Sequence, residues 1–160
     1  MRKFEKISFE QFKKDITDNE ELYQNYELPK RKTKFSAGYD FNSLIEKNLV
    51  PGESVLIPTG IKCSLNENDV LLIIVRSSLG FKHNIRLVNQ VGVIDADYYN
   101  NESNEGHILI KLKNEGDHDY KIEIGSAIAQ GLIVNYNAVD NEEEINTVRT
   151  GGTGSTDQNK

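Results

Sequence analysis

Apolar and polar residues alternate in short runs over most of the chain, which is the pattern of β-strands that bury one face. Residues 106–113 and 120–124 alternate cleanly, and residues 70–75 form an apolar run rich in β-branched side chains. Residues 127–136 indicate a further strand. Many short strands separated by turn residues, with almost no helical periodicity, predict an all-β fold, either a β-sandwich or a barrel of jelly-roll type.

Helical spacing occurs near the N-terminus, where Phe9, Phe12 and Ile16 recur on one face and Ser8 is suited to cap the first turn. We therefore expect one short N-terminal helix within an extension formed by residues 1–34.

Two polar segments predict irregular structure. Residues 99–106 contain no aliphatic side chain and are expected to form an exposed loop. Residues 146–160 are rich in Gly, Ser and Thr and predict a mobile C-terminal arm. The whole chain, residues 1–160, has the length of a single domain.

Composition narrows the class of protein. The net charge of -6 argues against a general nucleic-acid binder, which needs basic surface to displace phosphate counterions. No apolar run approaches the roughly 20 residues that span a membrane, and the N-terminus lacks the apolar core of a signal peptide. Cys63 is the single cysteine, so no internal disulfide is expected. We expect a cytoplasmic protein without nucleic-acid or membrane partners.

Charge is unevenly placed, because residues 28–39 and 70–94 contain no Asp or Glu and carry several Lys and Arg. These basic segments indicate either local anion sites or solvated surface charge, and composition leaves both interpretations open. Within the second segment, residues 76–80 place an Arg, two Ser and a Gly after the strongest predicted strand. This combination suits an oxyanion, and a plain turn is the alternative.

Two carboxylates are candidates for chemistry. Asp95 follows three apolar or Gly residues, so it is expected at the edge of a buried strand, where it can orient and deprotonate a water. Tyr98 can lay its ring against a sugar, although an Asx turn with a core tyrosine gives the same pattern. Asp40 follows the first basic segment and is suited to hold a hydrated Mg²⁺, or is an ordinary loop aspartate.

Taken in order, these segments resemble the five motifs of the trimeric dUTPase family, and the resemblance covers residues 28–156. The segments similar to the motifs are residues 37–41, 76–80, 89–98, 125–130 and 151–156. The third segment, Asn89-Gln90-Val91-Gly92-Val93-Ile94-Asp95-Ala96-Asp97-Tyr98, is the most specific of them.

The resemblance implies a distorted jelly-roll β-barrel of phage type that forms homotrimers with shared active sites. It implies hydrolysis of dUTP to dUMP and pyrophosphate with Mg²⁺, which lowers dUTP and supplies dUMP for dTTP synthesis. Asp95 would be the general base, Asp40 would hold Mg²⁺ through water, Tyr98 would exclude a 2′-hydroxyl, and the arm would close as a lid over a neighbouring subunit. The implied substrate-binding residues are Arg76, Ser77, Ser78, Gly80, Asn89, Gly92, Val93, Ile94, Tyr98, Gln130, Arg149, Gly152, Thr153, Gly154 and Ser155.

The chain departs from the family pattern at three positions. Ala127 stands where the family usually carries Arg, and Thr153 stands where it has a Phe that stacks on uracil. Arg149 precedes Gly151 by two positions, where the family's tail Arg precedes its glycine pair by three. The altered arm favours keeping one alternative, a regulatory protein on the same scaffold that binds a protein partner such as a repressor. A second alternative is dCTP deaminase, which shares the fold and the serine motif.

Overall fold

The computed structural model describes residues 1–147, 149 and 151. Short strands dominate it, and they are β1 (Lys3–Lys6), β2 (Tyr39–Asn42), β3 (Lys47–Leu49), β4 (Ser54–Pro58), β5 (Ile61–Ser64), β6 (Asp69–Val75), β7 (Ile85–Leu87), β8 (Gly92–Ile94), β9 (Leu109–Asn114), β10 (Tyr120–Ile122) and β11 (Ala127–Asn135). The helices are α1 (Phe9–Asp15), α2 (Glu20–Asn25) and α3 (Ser77–His83), with a 3₁₀ turn at Ala96–Tyr98. None of the described helices is long and apolar enough to cross a membrane.

The strands pair antiparallel in four sheets, ordered β2-β11-β6-β8, β4-β9-β7, β1-β5 and β10-β3. The all-β prediction is confirmed. In the described part of the chain the ladders remain four separate sheets and do not close into one continuous barrel.

The core forms where the inward faces of these sheets meet. Strand β9 shows the rule, since Ile110 and Leu112 are buried and the alternate residues Leu109 and Lys111 face outward. Burying one such aliphatic side chain contributes about 1.5–3 kcal/mol relative to leaving it exposed. The alternation read from the sequence therefore identifies the inner face correctly.

The N-terminal extension is an integral part of the fold. Strand β1 pairs with β5, which places Lys3 opposite Ser64. Ser8 caps α1 by accepting a hydrogen bond from the Gln11 N–H at 3.1 Å, which confirms the predicted helix. Helices α2 and α3 were not predicted. A second apolar cluster forms beneath α1 and α2, and its members are Ile7, Phe12 and Leu44, packed against Phe9, Ile16, Leu22, Tyr23 and Tyr26.

The loop at residues 99–106 is exposed in part, as its polarity predicts, at Asn100, Glu102 and Ser103, and buried in part. Asn101 is only 7% exposed, and Gly106 is also buried. The Asn101 amide donates to Tyr98 O at 2.8 Å, and its Oδ1 accepts from the N–H groups of Ser103 and Asn104. Asparagine side chains thus take the place of water as partners of the loop backbone, which allows a polar segment to fold inward.

His107 connects this loop to the N-terminal helix. Its Nε2 accepts a hydrogen bond from the Gly60 N–H at 2.9 Å, so the ring proton lies on Nδ1 and is donated to Asp15 Oδ2 at 2.7 Å. The ring is fully buried, and burial lowers the pKa of His107, opposed by the hydrogen bond and charge of Asp15 and by the charge of Glu105. Protonation would set an Nε2–H against the Gly60 N–H.

We expect the fold to lose stability as the pH falls through about 6.5, the usual histidine value. Because the pKa of folded His107 is depressed, the unfolded chain binds the proton first, and stability is full above this pH and falls below it. Denaturant midpoints at fixed protein concentration, measured from about pH 7.5 to about pH 5.5, avoid the range in which carboxylates titrate. His107→Asn should flatten this pH dependence, whereas His118→Asn, at a fully exposed ring, should leave it as it is. An equal slope in all three chains would contradict the assignment.

Candidate active site

A cavity of about 510 Å³ opens at the end of β8, and we call it the β8 cavity. Most of the residues of the third predicted motif line it. Its lining includes Leu87, Asn89, Gly92, Val93, Ile94, Asp95, Tyr98, Lys111 and Arg149. The structure therefore brings together the predicted base, the predicted sugar-contacting tyrosine and the predicted tail arginine.

The turn between β7 and β8 gives the cavity one of its walls. Gln90 has a φ of 62°, and Asn89 O accepts from the Val91 N–H at 2.7 Å, so the turn is tight. Gly92 pairs with Ile73 of β6, and a Cβ at Gly92 would lie 3.1 Å from the Ile73 Cβ, closer than side chains normally pack. Glycine at position 92 therefore permits the close approach of β8 to β6.

Arg149 forms a salt bridge with Asp95, the carboxylate that the sequence predicts to be the base. Its Nη2 is 2.8 Å from Asp95 Oδ2, and its Nε is 3.2 Å from Asp97 Oδ1. The Arg149 N–H also donates to Asp97 Oδ2 at 3.3 Å, and the guanidinium lies 5.8 Å from the centre of the Tyr98 ring. One arginine thus bridges two carboxylates two residues apart. Sequence reasoning missed Asp97, and its spacing from Asp95 was the available signal.

Tyr98 is held at its hydroxyl as well as at its ring. The hydroxyl donates to His107 O at 3.0 Å and accepts from Asn104 Nδ2 at 2.9 Å. The residue is 8% exposed, so its ring is a fixed wall of the β8 cavity. No sequence signal pointed to Asn104 or His107 as its partners.

A second group of predicted residues lies at the far end of β6, and we call it the Asp40 cluster: Asp40, Arg76 and Gln130. Strand β11 lies between β2 and β6, so Gln130 is the cross-strand partner of Asp40. Arg76 Nε lies 3.1 Å from Asp40 Oδ1, and Gln130 Nε2 donates to Val75 O at 3.4 Å. The Arg76 guanidinium and the Gln130 amide are suitable hydrogen-bond donors to a phosphate, and the Asp40 carboxylate is suited to a cation bound to that phosphate.

Helix α3 starts directly after Arg76, where the sequence suggested an oxyanion loop or a turn. Leu79 is buried and anchors the helix, which leaves Ser77 and Ser78 exposed in its first turn. A Cβ at Gly80 would meet its neighbours only at ordinary contact distances, 3.8 Å from Val75 Cγ1 and 3.9 Å from Ile85 O. The structure therefore gives Gly80 no steric reason to be glycine.

One chain keeps the β8 cavity and the Asp40 cluster apart. Ile94 pairs with Leu71 at the start of β6, so Asp95 follows at that end, whereas Arg76 follows Val75 at the other end. A strand rises about 3.3 Å per residue, so the six steps along the chain from Val70 to Arg76 separate the two groups by about 20 Å. Reacting groups need to approach to within about 3–3.5 Å. The two groups of one chain therefore do not form one site.

Asp40 meets the requirements of a Mg²⁺ ligand. Its carboxylate is 11% exposed, and its Oδ2 is a buried oxygen without a hydrogen-bond partner, with Lys32 Nζ 3.8 Å away. Mg²⁺ prefers hard oxygen ligands and is commonly held by one or two carboxylates, waters and substrate phosphates. Among the described residues, no group of three or more His, Cys, Asp or Glu could hold a metal ion, so phosphates and waters would supply the other ligands. The predicted tail residues Gly152, Thr153, Gly154 and Ser155 lie outside the described residues.

Comparison with known proteins identifies the class to which this fold and site belong. The dUTPase family model matches residues 24–157, so the chain belongs to the dUTPase family.

Particular relatives agree with this assignment. The deoxyuridine 5′-triphosphate nucleotidohydrolase of Lactococcus lactis subsp. lactis (strain IL1403) is 43% identical over 130 residues, which cover 81% of this chain and 87% of that protein. The dUTPase of Streptococcus mutans superposes with a TM-score of 0.70 at 39% identity, covering 86% of this chain and 98% of the other. A dUTPase from phage phi11 of S. aureus, solved with a structural Mg(II) ion, has a TM-score of 0.68 at 22% identity and covers 92% of this chain and 97% of its own, which supports the fold alone.

Gly38 offers a test of the Asp40 cluster, because it lies directly against Gln130. A Cβ at Gly38 would overlap Gln130 Oε1 and lie 3.2 Å from the Gln130 Cβ. Gly38→Ala should displace the Gln130 amide while the fold is retained, since the displaced atoms end a flexible side chain. We expect the KM for dUTP to rise roughly 2- to 10-fold, the effect of one lost hydrogen bond.

Gln130→Ala should give the same rise in KM, and the double variant should give no further rise, because both changes remove one interaction. Thermal melting of each variant provides the control for folding. An unchanged KM in a folded Gly38→Ala variant would show that the Gln130 amide does not bind substrate.

Proposed function

We propose that this chain hydrolyses dUTP to dUMP and pyrophosphate, a reaction that lowers dUTP and supplies dUMP for dTTP synthesis. Membership of the dUTPase family supports this activity and favours it over dCTP deamination. The observation that carries the proposal is the grouping of Asp95, Tyr98 and the Asn89 turn around one cavity. Its volume of about 510 Å³ lies within the range of about 300–1,000 Å³ that is usual for small-ligand sites.

In this proposal the β8 cavity takes the nucleoside. Asn89 and the backbone of Gly92, Val93 and Ile94 would read the uracil edge, as the family resemblance implies. The Tyr98 ring would pack on the deoxyribose and leave no space for a 2′-hydroxyl. The support is geometric, because the tight turn and the fixed ring give the cavity rigid walls.

Asp95 would act as the general base. Its side chain is 49% exposed, so a water can reach it, and it would take a proton as that water attacks the α-phosphorus and pyrophosphate leaves in line. Arg149 has to leave Asp95 first, because an arginine bonded to the carboxylate competes with the water. The triphosphate offers Arg149 an alternative anionic partner, which agrees with its predicted role in substrate binding.

The phosphates would be held by Arg76, Ser77, Ser78 and Gln130, with Gly80 as a further substrate-binding residue of the same segment. Mg²⁺, which Asp40 would hold through water, supplies charge neutralisation to the triphosphate. The amides of Gly152, Thr153 and Gly154 and the hydroxyl of Ser155 would complete the cradle as the arm closes.

The separation of about 20 Å between the two halves supports shared sites in a homotrimer, with the β8 cavity of one subunit facing the Asp40 cluster of another. In a cyclic trimer, head-to-tail contacts of this kind close after three steps, and the site would occur three times. Binding of a regulatory protein partner, a phage origin and a cytoplasmic location stay predictions.

The role of Asp95 is tested by Asp95→Asn, which removes the base without changing the size of the side chain. We expect pyrophosphate release from dUTP with Mg²⁺ to fall by about 10²- to 10⁴-fold, the usual effect of losing a general base. Asp97→Asn is the matched control, since Asp97 shares Arg149 but lacks the proposed role. The intact chain should release little pyrophosphate from dCTP, dTTP or UTP. If both variants keep their activity, Asp95 is not the base.

Shared sites are tested by mixing two inactive variants, Asp95→Asn and Arg76→Ala. If the two halves of a site come from different subunits, co-refolding the two chains in equal amounts should restore roughly one quarter of the sites. Each half of a site then comes from the unaltered version in about half of the cases, and the two halves are drawn independently. Each variant refolded alone is the control and should remain inactive. If every site were contained in one chain, the mixture would be as inactive as its components.

A further inference from the structure

The hydroxyl of Tyr98 has two partners inside the protein, which is more than a buried tyrosine needs. It donates to His107 O at 3.0 Å and accepts from Asn104 Nδ2 at 2.9 Å. A tyrosine that only fills space usually finds one partner for its hydroxyl. Two bonds from different directions fix both the position of the ring and its tilt.

The orientation of the Asn104 amide is itself determined by its neighbours. Its Oδ1 accepts from Asn101 Nδ2 at 2.8 Å and from the Gly106 N–H at 3.1 Å. Both of these partners are donors, so the oxygen faces them and the Asn104 NH₂ faces Tyr98. Donation to the Tyr98 hydroxyl therefore follows from the network.

The loop also grips the backbone of Tyr98. Asn101 Nδ2 donates to Tyr98 O at 2.8 Å. Gly106 has a φ of 81°, and a Cβ there would lie 2.6 Å from Tyr98 O and 2.9 Å from Tyr99 Cα. The end of the loop passes so close to the backbone at its beginning that only glycine fits at position 106.

The far side of the loop is fastened to the N-terminal segment. Glu105 accepts from the Ser8 N–H at 2.9 Å and pairs with Lys62 at 3.3 Å. Tyr99 donates its hydroxyl to Glu5, and the ring of His107 is held by Asp15. These contacts fix the loop to the N-terminal segment and to β5. A displacement of the Tyr98 ring would therefore have to disturb bonds to the rest of the fold.

We propose that Asn104 is a positioning residue that determines discrimination between dUTP and UTP by holding Tyr98 in place. This inference rests on the proposed function, in which the Tyr98 ring excludes a 2′-hydroxyl. The Tyr98 ring can exclude UTP only if it is held in place, because a ring that is free to shift would make space for the 2′-hydroxyl. Asn104 does not line the β8 cavity, so it would act on the substrate through the Tyr98 ring that it holds.

The test compares kcat/KM for dUTP and for UTP in the intact chain, Asn104→Ala, Tyr98→Phe and the double variant. We expect the ratio of the two values to fall about 3- to 10-fold in Asn104→Ala, the effect of one lost hydrogen bond to the wall. Tyr98→Phe should lower it at least as much, and the double variant should match Tyr98→Phe, since Asn104 then has no hydroxyl to hold. Glu102→Ala, at an exposed position of the same loop, is the control and should keep the ratio.

Asn104→Asp guards against a folding defect. It retains the oxygen that accepts from Asn101 and Gly106 and removes the NH₂ that donates to the Tyr98 hydroxyl and, at 3.4 Å, to His107 O. The ratio should therefore fall as in Asn104→Ala. An unchanged ratio in folded variants, even with a lower melting temperature, would reduce Asn104 to a structural role and overturn the inference. Additive effects of Asn104→Ala and Tyr98→Phe would do the same. If the intact chain fails to hydrolyse dUTP, the proposed function fails and the inference falls with it.

Discussion

The register of β6 is the constraint on which the site depends. This strand pairs with β8 on one side and with β11 on the other, and it buries Leu71 and Ile73 in the core. A shift of one residue in either ladder would turn these side chains to the opposite face, so the register is strongly fixed. It places Asp95 beside the start of β6 and Arg76 after its end. Small movements within one chain cannot remove a separation of about 20 Å, and this separation is the geometric support for the proposed shared site.

Much of the fold could be read from local patterns. Strands β9 and β10 follow the alternation of their sequence, and α1 begins at the serine that caps it. What the sequence did not reveal depends on distant partners. Strand β1 exists because Lys3 to Lys6 pair with β5, and nothing within four charged and apolar residues specifies that pairing. Helix α3 was missed because Ser and Gly are weak helix formers, whereas buried Leu79 favours the helix through tertiary packing.

The sequence nominated members of the candidate site but did not indicate their contacts. The order of the motifs identified Asp95, Tyr98, Asp40 and Arg76, yet their division between two ends of β6 required the register. The contact between His107 and Asp15 joins residues 92 positions apart, and neither has a spacing that indicates the other. The loop at residues 99–106 was predicted to be exposed because it is polar. Asn100, Glu102 and Ser103 are exposed as predicted, but Asn101 and Gly106 are buried because asparagine side chains satisfy the loop backbone, a property that polarity alone does not reveal.

Arg149 shows how the departures in the arm agree with the chemistry. Its bridge to Asp95 and Asp97 joins carboxylates that are nearly half exposed. Pairs in such surroundings typically contribute about 0–1 kcal/mol, so the bridge is easily exchanged. A triphosphate with several negative charges in one place is a stronger partner for a guanidinium than two separate carboxylates. Exchange of Arg149 from Asp95 to the triphosphate would free the base in the same step that binds the substrate. Arg149, two residues before Gly151, lies within hydrogen-bond distance of Asp95, so the altered spacing is compatible with this exchange.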